Sequence, residues 1–461
     1  MSKLTAVTCR TSLSKVIETF AEPSLSTPKG PLMTFTPRLS RRRLLQITGA
    51  GAGVALLGAC GDDDGGSASG EIDWWHISNT DPMLSVWAQL AKDYEGAHSG
   101  VKIKITPLEN EAFKAKLTTV TQAGKPPSLF HSWGGGVLNQ QVQAGLVKEI
   151  SGDVGWLSQI NSNATKLYQV NGKQYGVPFD VGMVGFWYNK ELFAKANIAA
   201  PPATWAEFLE VVRKLKAAKV TPIALAGAEK WPGHFYWSYL AIRQAGVAGM
   251  ADAAKDGSFD RPDFVTAGAK LKELVDLQPF QTGFQGAKYS ATDGQAAIMG
   301  NGQAAMELMG QWAPSTQASY SSTKQGIGDK LGFFPFPSLE GGKGAITEVF
   351  GGGNGFAIGK DAPPETLDFV KFLLTADSQR KATGAGGVLP VTQGAEDAIK
   401  DPNLKKVQET VAKATAFQLY LDQAYPPAVG AQVNDSVAEL IAGTAKPEQV
   451  AAAIAKTAKT K

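Results

Sequence analysis

The chain has 461 residues, of which 19% are charged and only two, Cys9 and Cys60, are cysteines. Residues 61–461 therefore exclude a disulfide, a cysteine nucleophile and a cysteine-ligated metal, and they are numerous enough to form two lobes, each with its own core. The net charge of +3 arises in residues 1–59, which carry eight Lys and Arg but two Asp and Glu; the rest has a charge of about −3, which argues against a nucleic-acid partner.

The N-terminal region has the pattern of an export signal. An apolar run over 44–59 follows Ser40-Arg41-Arg42-Arg43 and ends at Leu57-Gly58-Ala59-Cys60. The twin arginines resemble the signal of the Tat export route, and the last four residues resemble a bacterial lipobox. The alternative, a buried or transmembrane helix, is disfavoured because the run is shorter than the roughly 20 residues that span a bilayer.

This resemblance implies a lipoprotein held by Cys60 at the extracytoplasmic face of the cell membrane. It predicts an upstream extension over 1–32, with Met33 as the true start, and a Tat-type signal peptide over 33–59. Residues 60–70 are small and acidic, so we expect a flexible tether.

The elements of the folded part alternate between strand and helix. Ile72-Asp73-Trp74-Trp75 and 101–105 favour strands, and Asp81-Pro82 favours a helix start between them. Thr204 and Glu207 have the spacing of a capping box that begins a further helix. This order predicts an α/β fold with mainly parallel sheets. Further helical patterns cover 366–374 and the chain from about 435 onward.

Several blocks in a fixed order resemble the family 1 extracellular solute-binding proteins of ABC importers, specifically the maltose-binding-like, oligosaccharide-binding group. The blocks cover 173–180, 187–193, 201–205, 302–312 and 350–358. The resemblance implies a two-lobe periplasmic-binding-protein fold with interlobe hinge crossings. It places the N-lobe in 71–182 plus 349–395 and the C-lobe in 183–345 plus 396–461.

The resemblance further implies a monomeric substrate-binding lipoprotein that captures a neutral di- or oligosaccharide by hinge closure and docks on permease subunits. The blocks around Trp133 and Trp231 look like those of xylobiose- and cellobiose-type binders. No cofactor or metal is expected, since the four histidines lack metal-ligand spacing and no catalytic fingerprint occurs. A secreted glycoside hydrolase or a surface lectin acting on the same sugars remains an alternative.

Binding a neutral sugar requires aromatic planes for its C–H faces and polar groups for its hydroxyls. Four tryptophans stand at a strand end or beside Gly or Pro and are candidate sugar platforms: Trp75, Trp133, Trp231 and Trp312. The candidate polar and backbone groups in the same blocks are His76, Asn79, Asn110, Gly134, Asp180, His234, Gly352 and Asn354. The alternative roles of Asp180 are a cap for the next helix and a hydrogen-bonding group in the hinge. The alternative role of Glu307, a further candidate, is that of a buried structural carboxylate. Core packing is expected of Trp74, Trp87, Trp187, Trp205 and Trp237.

Overall fold

The structure is a computed structural model that describes residues 70–153 and 155–460. The predicted upstream extension, the signal peptide, the lipidation site Cys60 and all of the tether except Gly70 lie outside the described residues. Within the described part, no helix is both long and apolar enough to cross a membrane.

Helices and strands alternate along most of this part of the chain, as an α/β fold requires. Its strands are β1 (Glu71–His76), β2 (Lys102–Pro107), β3 (Leu129–Ser132), β4 (Gln169–Val170), β5 (Lys173–Gln174), β6 (Gly176–Pro178), β7 (Gly182–Met183), β8 (Gly185–Asn189), β9 (Thr221–Ile223), β10 (Ala304–Met309), β11 (Leu331–Phe334), β12 (Glu348–Gly352), β13 (Gly355–Ile358) and β14 (Ala416–Leu419). Its α-helices are α1 (Met83–Ala97), α2 (Asn110–Gln122), α3 (Gly135–Gln143), α4 (Ser162–Lys166), α5 (Lys190–Lys195), α6 (Trp205–Ala217), α7 (Trp231–Asp256), α8 (Pro262–Asp276), α9 (Gln295–Gly300), α10 (Ala313–Tyr320), α11 (Glu365–Leu373), α12 (Ala376–Gly384), α13 (Pro402–Ala412), α14 (Leu421–Ala424), α15 (Pro427–Ile441) and α16 (Pro447–Lys459).

A five-stranded sheet in the order β2-β1-β3-β13-β6 carries one hydrophobic core. Trp74 and Trp87 lie at its centre, both fully buried, with their rings edge-on at 5.7 Å. Phe356 from β13 and Phe369 from α11 pack edge-on against Trp74. Residues from the first and the later part of the chain thus share this core.

A four-stranded sheet in the order β11-β8-β10-β9 carries a second, larger core. Trp187 in β8 is fully buried and donates its indole N–H to the carbonyls of Met309 and Gly310 at 3.1 Å. Helix α6 packs on this core and begins as predicted. Thr204 Oγ1 accepts from the Glu207 N–H at 3.2 Å, and Glu207 Oε2 accepts from the Thr204 N–H at 3.1 Å, so the capping box is confirmed.

A three-stranded sheet, β14-β12-β7, takes its strands from widely separated parts of the chain. β12 pairs in parallel with β14 and antiparallel with β7. The expectation of mainly parallel sheets is wrong: β8 runs antiparallel to β10 and β11, and β13 antiparallel to β3 and β6. The reason is that β13 re-enters the first sheet from another sheet, in the opposite direction to β3.

The tryptophans expected in the core are there. All five are at most 2% exposed: Trp74, Trp87, Trp187, Trp205 and Trp237. Glu307, in β10, is fully buried and accepts hydrogen bonds from Gln295 Nε2 at 2.8 Å and Gln317 Nε2 at 2.6 Å. Burial raises the pKa of Glu307 to about 7, and its contacts are those of a structural carboxylate.

Candidate functional site

A cleft of about 1130 Å³, its open mouth included, lies where loops following strands of the five-, four- and three-stranded sheets converge. Residues after β1, β3 and β14 line it, the position at which open α/β sheets bind their ligands. Seven of the residues predicted from sequence line this cleft: Asn79, Asn110, Trp133, Asp180, Trp231, Trp312 and Asn354.

One side of the cleft is a continuous set of rings, here called the aromatic wall: Trp231, Phe235, Tyr289, Trp312 and Tyr420. The Trp231 ring lies 5.5 Å from those of both Tyr289 and Phe235. Phe235 stacks on Tyr420 at 5.7 Å, and Trp312 meets Tyr420 edge-on at 6.2 Å. Each ring is thus held by another ring, which fixes the wall before any ligand binds.

Helix starts place both tryptophans of this wall. Trp231 is the first residue of α7 and Trp312 directly precedes α10, and each of these helices has a proline in its first two positions. Proline is favoured there because its missing N–H needs no partner in the first helical turn. Both helices start at the cleft, and both tryptophans line it.

The other lining set, here called the mixed wall, consists of Asn79, Asn110, Lys114, His131 and Trp133. Asn79 follows β1, and Asn110 and Lys114 lie in the first turns of α2. His131 lies in β3, and Trp133 directly follows that strand. Trp133 is half-buried, with its ring 4.4 Å from that of His131 and 5.6 Å from Lys114 Nζ. An indole face and several polar groups are thus adjacent on this wall.

Asp180 is 2% exposed, and protein donors already occupy its carboxylate. Oδ1 accepts from the Asn354 N–H at 2.7 Å and from Asn354 Nδ2 at 3.0 Å. Oδ2 accepts from Asn354 Nδ2 at 3.0 Å and from Gln311 Nε2 at 2.9 Å. Burial raises the pKa of Asp180 to about 6, although the hydrogen bonds from Asn354 and Gln311 act to lower it. Its contacts are those of the hinge alternative, because it fixes Asn354 and Gln311 in place.

Two predicted residues of β1 lie away from the cleft lining. Trp75 is buried on the other face of the strand from Trp74, where its indole N–H donates to the Asp73 carboxylate at 2.9 Å and Lys116 Nζ lies 4.1 Å from its ring. His76 is buried against Trp74 at 4.9 Å, and burial lowers its pKa to about 4. The two side chains pack on opposite faces of the sheet, whereas the cleft is lined by the loop that follows the strand, from Ile77 onward.

Three further predicted residues support the lining instead of forming it. Gly134 has φ 73°, and a Cβ there would lie 2.3 Å from the Leu167 carbonyl oxygen. A Cβ on Gly352 would lie 2.3 Å from the Tyr420 ring, so a glycine at this position leaves room for that ring of the aromatic wall. His234 is fully buried in α7, with Nδ1 2.7 Å from Asn434 Oδ1.

Sequence reasoning missed several lining residues, among them Lys114, His131, Tyr289, Tyr420 and Asp422. Lys114 lies one helical turn after the predicted Asn110, and His131 lies two residues before the predicted Trp133 on the same chain segment. Those spacings are signals that could have found them. Tyr289, Tyr420 and Asp422 carry no comparable local signal.

The electrostatics of the cleft favour an uncharged ligand. Burial, with His76 nearby, lowers the pKa of His131 to about 3, so its ring is neutral at physiological pH. Lys114 Nζ lies between Glu111 Oε1 at 3.2 Å and Asp422 Oδ2 at 3.6 Å. Among the described residues, no group of three or more His, Cys, Asp or Glu could hold a metal ion.

A single hydrogen bond joins two segments at the edge of the cleft. Ser319 Oγ, in α10, donates to the backbone carbonyl of Asp81, in the loop before α1. Asp81 and Ser315 both line the cleft, so this contact lies beside its mouth.

Residues 78–380 match the family described as bacterial extracellular solute-binding proteins. The chain belongs to this family. The solute-binding protein is 27% identical over 362 residues to the Multiple sugar-binding protein of Streptococcus mutans serotype c, covering 75% of this chain and 82% of that one.

Two solved structures are each 27% identical to the solute-binding protein, with a TM-score of 0.77. One comes from work on xylan utilization by the thermophilic bacterium Caldanaerobius polysaccharolyticus and covers 84% of this chain. The other is a chitin oligosaccharide binding protein and covers 86%. This chain covers 99% of each. The predicted two-lobe periplasmic-binding-protein fold is confirmed, and membership of the family places the solute-binding protein outside the cytoplasm.

Proposed function

We propose that this chain is the substrate-binding lipoprotein of an ABC sugar importer and captures a neutral di- or oligosaccharide in the cleft. Its relative in S. mutans is a sugar-binding protein, and the two similar structures concern xylan and chitin oligosaccharides. Capture and delivery require no covalent chemistry, so the cleft needs only shape and hydrogen-bonding groups.

The observation that carries this proposal is the pairing of the aromatic wall with the mixed wall. A pyranose ring presents apolar C–H groups on its faces and hydroxyls around its edge, so it needs ring planes and polar groups in one cavity. Trp231 and Trp312 supply planes on one side. Asn79 and Asn110 supply amides, which both donate and accept, on the other.

The charge of the lining argues against an anionic ligand. The lining residues include three carboxylates, on Asp81, Asp180 and Asp422, and a single cation, Lys114. That cation lies beside Asp422 and Glu111. A phosphate or carboxylate ligand would therefore meet net negative charge without an unpaired partner.

Calorimetry with the purified chain tests the substrate class. We expect xylobiose or cellobiose to bind and glucose 1-phosphate not to bind. Titration with N,N′-diacetylchitobiose then shows whether chitin-type sugars bind as well. The matched control is Trp187→Ala, which alters the core without touching the cleft lining. Binding of the phosphate ester in preference to every neutral sugar would contradict the proposal.

We propose that the lobes meet near residues 182 and 349 and close as a hinge about β7, β12 and β14. Saturating sugar should reduce the radius of gyration in small-angle scattering. It should also stabilise the fold by about 2.7 kcal/mol at 100 times the Kd. A lectin with a rigid, shallow site would bind sugar without compaction.

The anchor and the partners complete the proposal: lipid on Cys60, a monomeric chain, and docking of the closed form on permease subunits. Cys60→Ser should move the protein from the membrane fraction to the soluble exported fraction. Replacing Arg41 and Arg42 together by Lys should stop export by the Tat route. Membrane retention of Cys60→Ser would contradict the anchor, and product release from a bound oligosaccharide would favour the glycoside hydrolase.

A further inference from the structure

Lys114 and Asp422 bring opposite charges together inside the cleft. Lys114 lies on α2 and Asp422 on α14, and both line the cavity. Their side chains are 28% and 11% exposed, and Nζ is 3.6 Å from Oδ2. The pair is therefore partly desolvated and faces the space that a ligand would occupy.

The pair keeps unused hydrogen-bonding capacity. Lys114 donates one N–H to Glu111 Oε1 at 3.2 Å, while its 3.6 Å contact with Asp422 is an ion pair longer than a hydrogen bond. Asp422 Oδ2 accepts from Gln423 Nε2 at 3.1 Å, and its Oδ1 has no protein donor among the described residues. Ammonium donors and a carboxylate acceptor thus remain free side by side. In Asp180, by contrast, both oxygens are occupied.

Trp133 adds a platform next to these free groups. Lys114 Nζ lies 5.6 Å from the centre of its ring. A sugar stacked on this indole directs its hydroxyls outward from its own edge, toward the ammonium that lies over the ring and the carboxylate paired with that ammonium. Hydrogen bonds to charged groups are about twice as strong as neutral ones, and the opposite charges of the pair cancel, so a neutral ligand is not penalised.

The geometry points to Lys114 and Asp422 as a clamp for a vicinal diol of the sugar stacked on Trp133. Lys114 donates to one hydroxyl oxygen, and Asp422 Oδ1 accepts from the neighbouring hydroxyl. This inference rests on the proposed function and deepens it. In a 1,4-linked oligosaccharide an interior ring offers only its 2,3-diol, which xylose and glucose keep and N-acetylglucosamine lacks. With an interior ring of a longer oligosaccharide on Trp133, the clamp therefore selects xylan- or cellulose-type sugars over chitin-type ones.

The test compares ligands and variants together. The ligands are xylotriose or cellotriose, whichever the wild type binds more tightly, and the derivatives of that sugar lacking the 2- or the 3-hydroxyl of the interior ring. The variants are Lys114→Met, Asp422→Asn and the double variant, which removes both charges of the pair and leaves only the half-exposed Glu111 without Lys114. Lys116→Met is the matched control, since Lys116 lies on the same helix but over the Trp75 ring, outside the cleft lining.

We expect the wild type to bind the deoxy sugars about 10- to 100-fold more weakly than the parent. Each single variant should bind the parent more weakly by a similar factor and should no longer distinguish the parent from one of the two deoxy sugars. The double variant should distinguish the parent from neither. Lys116→Met should keep wild-type affinity and discrimination. Melting of each ligand-free variant shows whether it folds. If Lys114→Met does not fold, Lys114→Gln keeps a donor without the charge and replaces it.

Two results would overturn the clamp. One is wild-type affinity for the parent sugar in the double variant. The other is an equal loss for parent and deoxy sugars, with discrimination retained, which would assign the pair a role in shaping the wall only. A wild type that binds no sugar at all overturns the proposed function first, so the two failures are distinguishable.

Discussion

The two walls of the cleft are built in different ways. Rings of the aromatic wall contact one another, so Trp312, Tyr420, Phe235 and Trp231 hold each other in place. The mixed wall is a set of polar groups with free donors and acceptors beside one indole. Under the proposed function, the first wall would offer affinity for any sugar face, whereas the second would distinguish one hydroxyl pattern from another. The proposal thus assigns affinity and selectivity to two different sets of lining residues.

The largest effect should come from the aromatic wall. An indole that covers a sugar ring hides on the order of 80 Å² of apolar surface, or about 2 kcal/mol at about 25 cal/mol per Å². Trp312→Ala should therefore weaken sugar binding about 10- to 100-fold by calorimetry. Trp231 lines the cleft but is only 9% exposed. Trp231→Ala should therefore weaken binding less and lower the stability more.

The control for these variants is Trp187→Ala, in the core. Its fully buried indole donates to two carbonyls, so its loss should lower the free energy of unfolding by about 3 to 5 kcal/mol. Near-normal binding by Trp312→Ala, with melting as low as that of Trp187→Ala, would assign the Trp312 ring to the core as well.

A smaller effect concerns Asp180, between the two walls. Asp180→Asn replaces one accepting oxygen by an NH₂ group, which cannot accept from the Asn354 or Gln311 donors. The variant should therefore lose about 1 to 3 kcal/mol of stability. The pKa of this carboxyl is raised from 3.8 to about 6, so the folded state keeps a proton that the unfolded state loses. The wild type therefore loses stability as the pH rises from about 4 to 6, and the variant lacks this contribution.

Urea unfolding of both proteins between pH 4 and pH 7 measures that difference. The advantage of the wild type over Asp180→Asn should be greatest near pH 4 and should level off above pH 6. A difference that stays constant with pH would show that Asp180 ionises normally in the folded protein.

The smallest effects belong to the amides of the mixed wall. Asn79→Ala or Asn110→Ala removes a neutral hydrogen bond to the sugar, worth about 0.5 to 1.5 kcal/mol, so binding should weaken about 2- to 10-fold. The loss should depend on which hydroxyls the sugar carries, unlike the loss at Trp312. A uniform loss across all sugars would remove the distinction between the two walls.

Much of the fold could be predicted from local pattern. The capping box at Thr204 needs only neighbouring residues to form, and the core tryptophans stand within helical or apolar runs. Strand direction could not be predicted in this way, because the pairing of β13 with β3 joins residues more than 200 positions apart in the chain. The local spacing of apolar residues carries no information about such long-range pairing.

The site residues differ in the same way: some have a local sequence signal and others do not. Trp231 and Trp312 could be placed because glycine or proline beside them indicates a turn or a helix start. Trp75 and His76 were placed at a strand end, where one residue decides whether a side chain faces the cleft or the core. Asp422 reaches the cleft only because β14 pairs with β12, which no neighbouring residue reveals.

Because no cysteine follows position 60, a cysteine introduced at the cleft mouth can be labelled selectively. Asp81 contacts Ser319 through its backbone carbonyl, so Asp81→Cys leaves the accepting atom in place. Fluorescent dyes attached at Asp81→Cys and at Gln325→Cys, an exposed position after α10 that keeps the Ser319 donor, would report the width of the mouth by energy transfer in single molecules. The distribution of widths without sugar would then reveal how often the empty protein samples the closed form, and hence whether sugar selects that form or induces it.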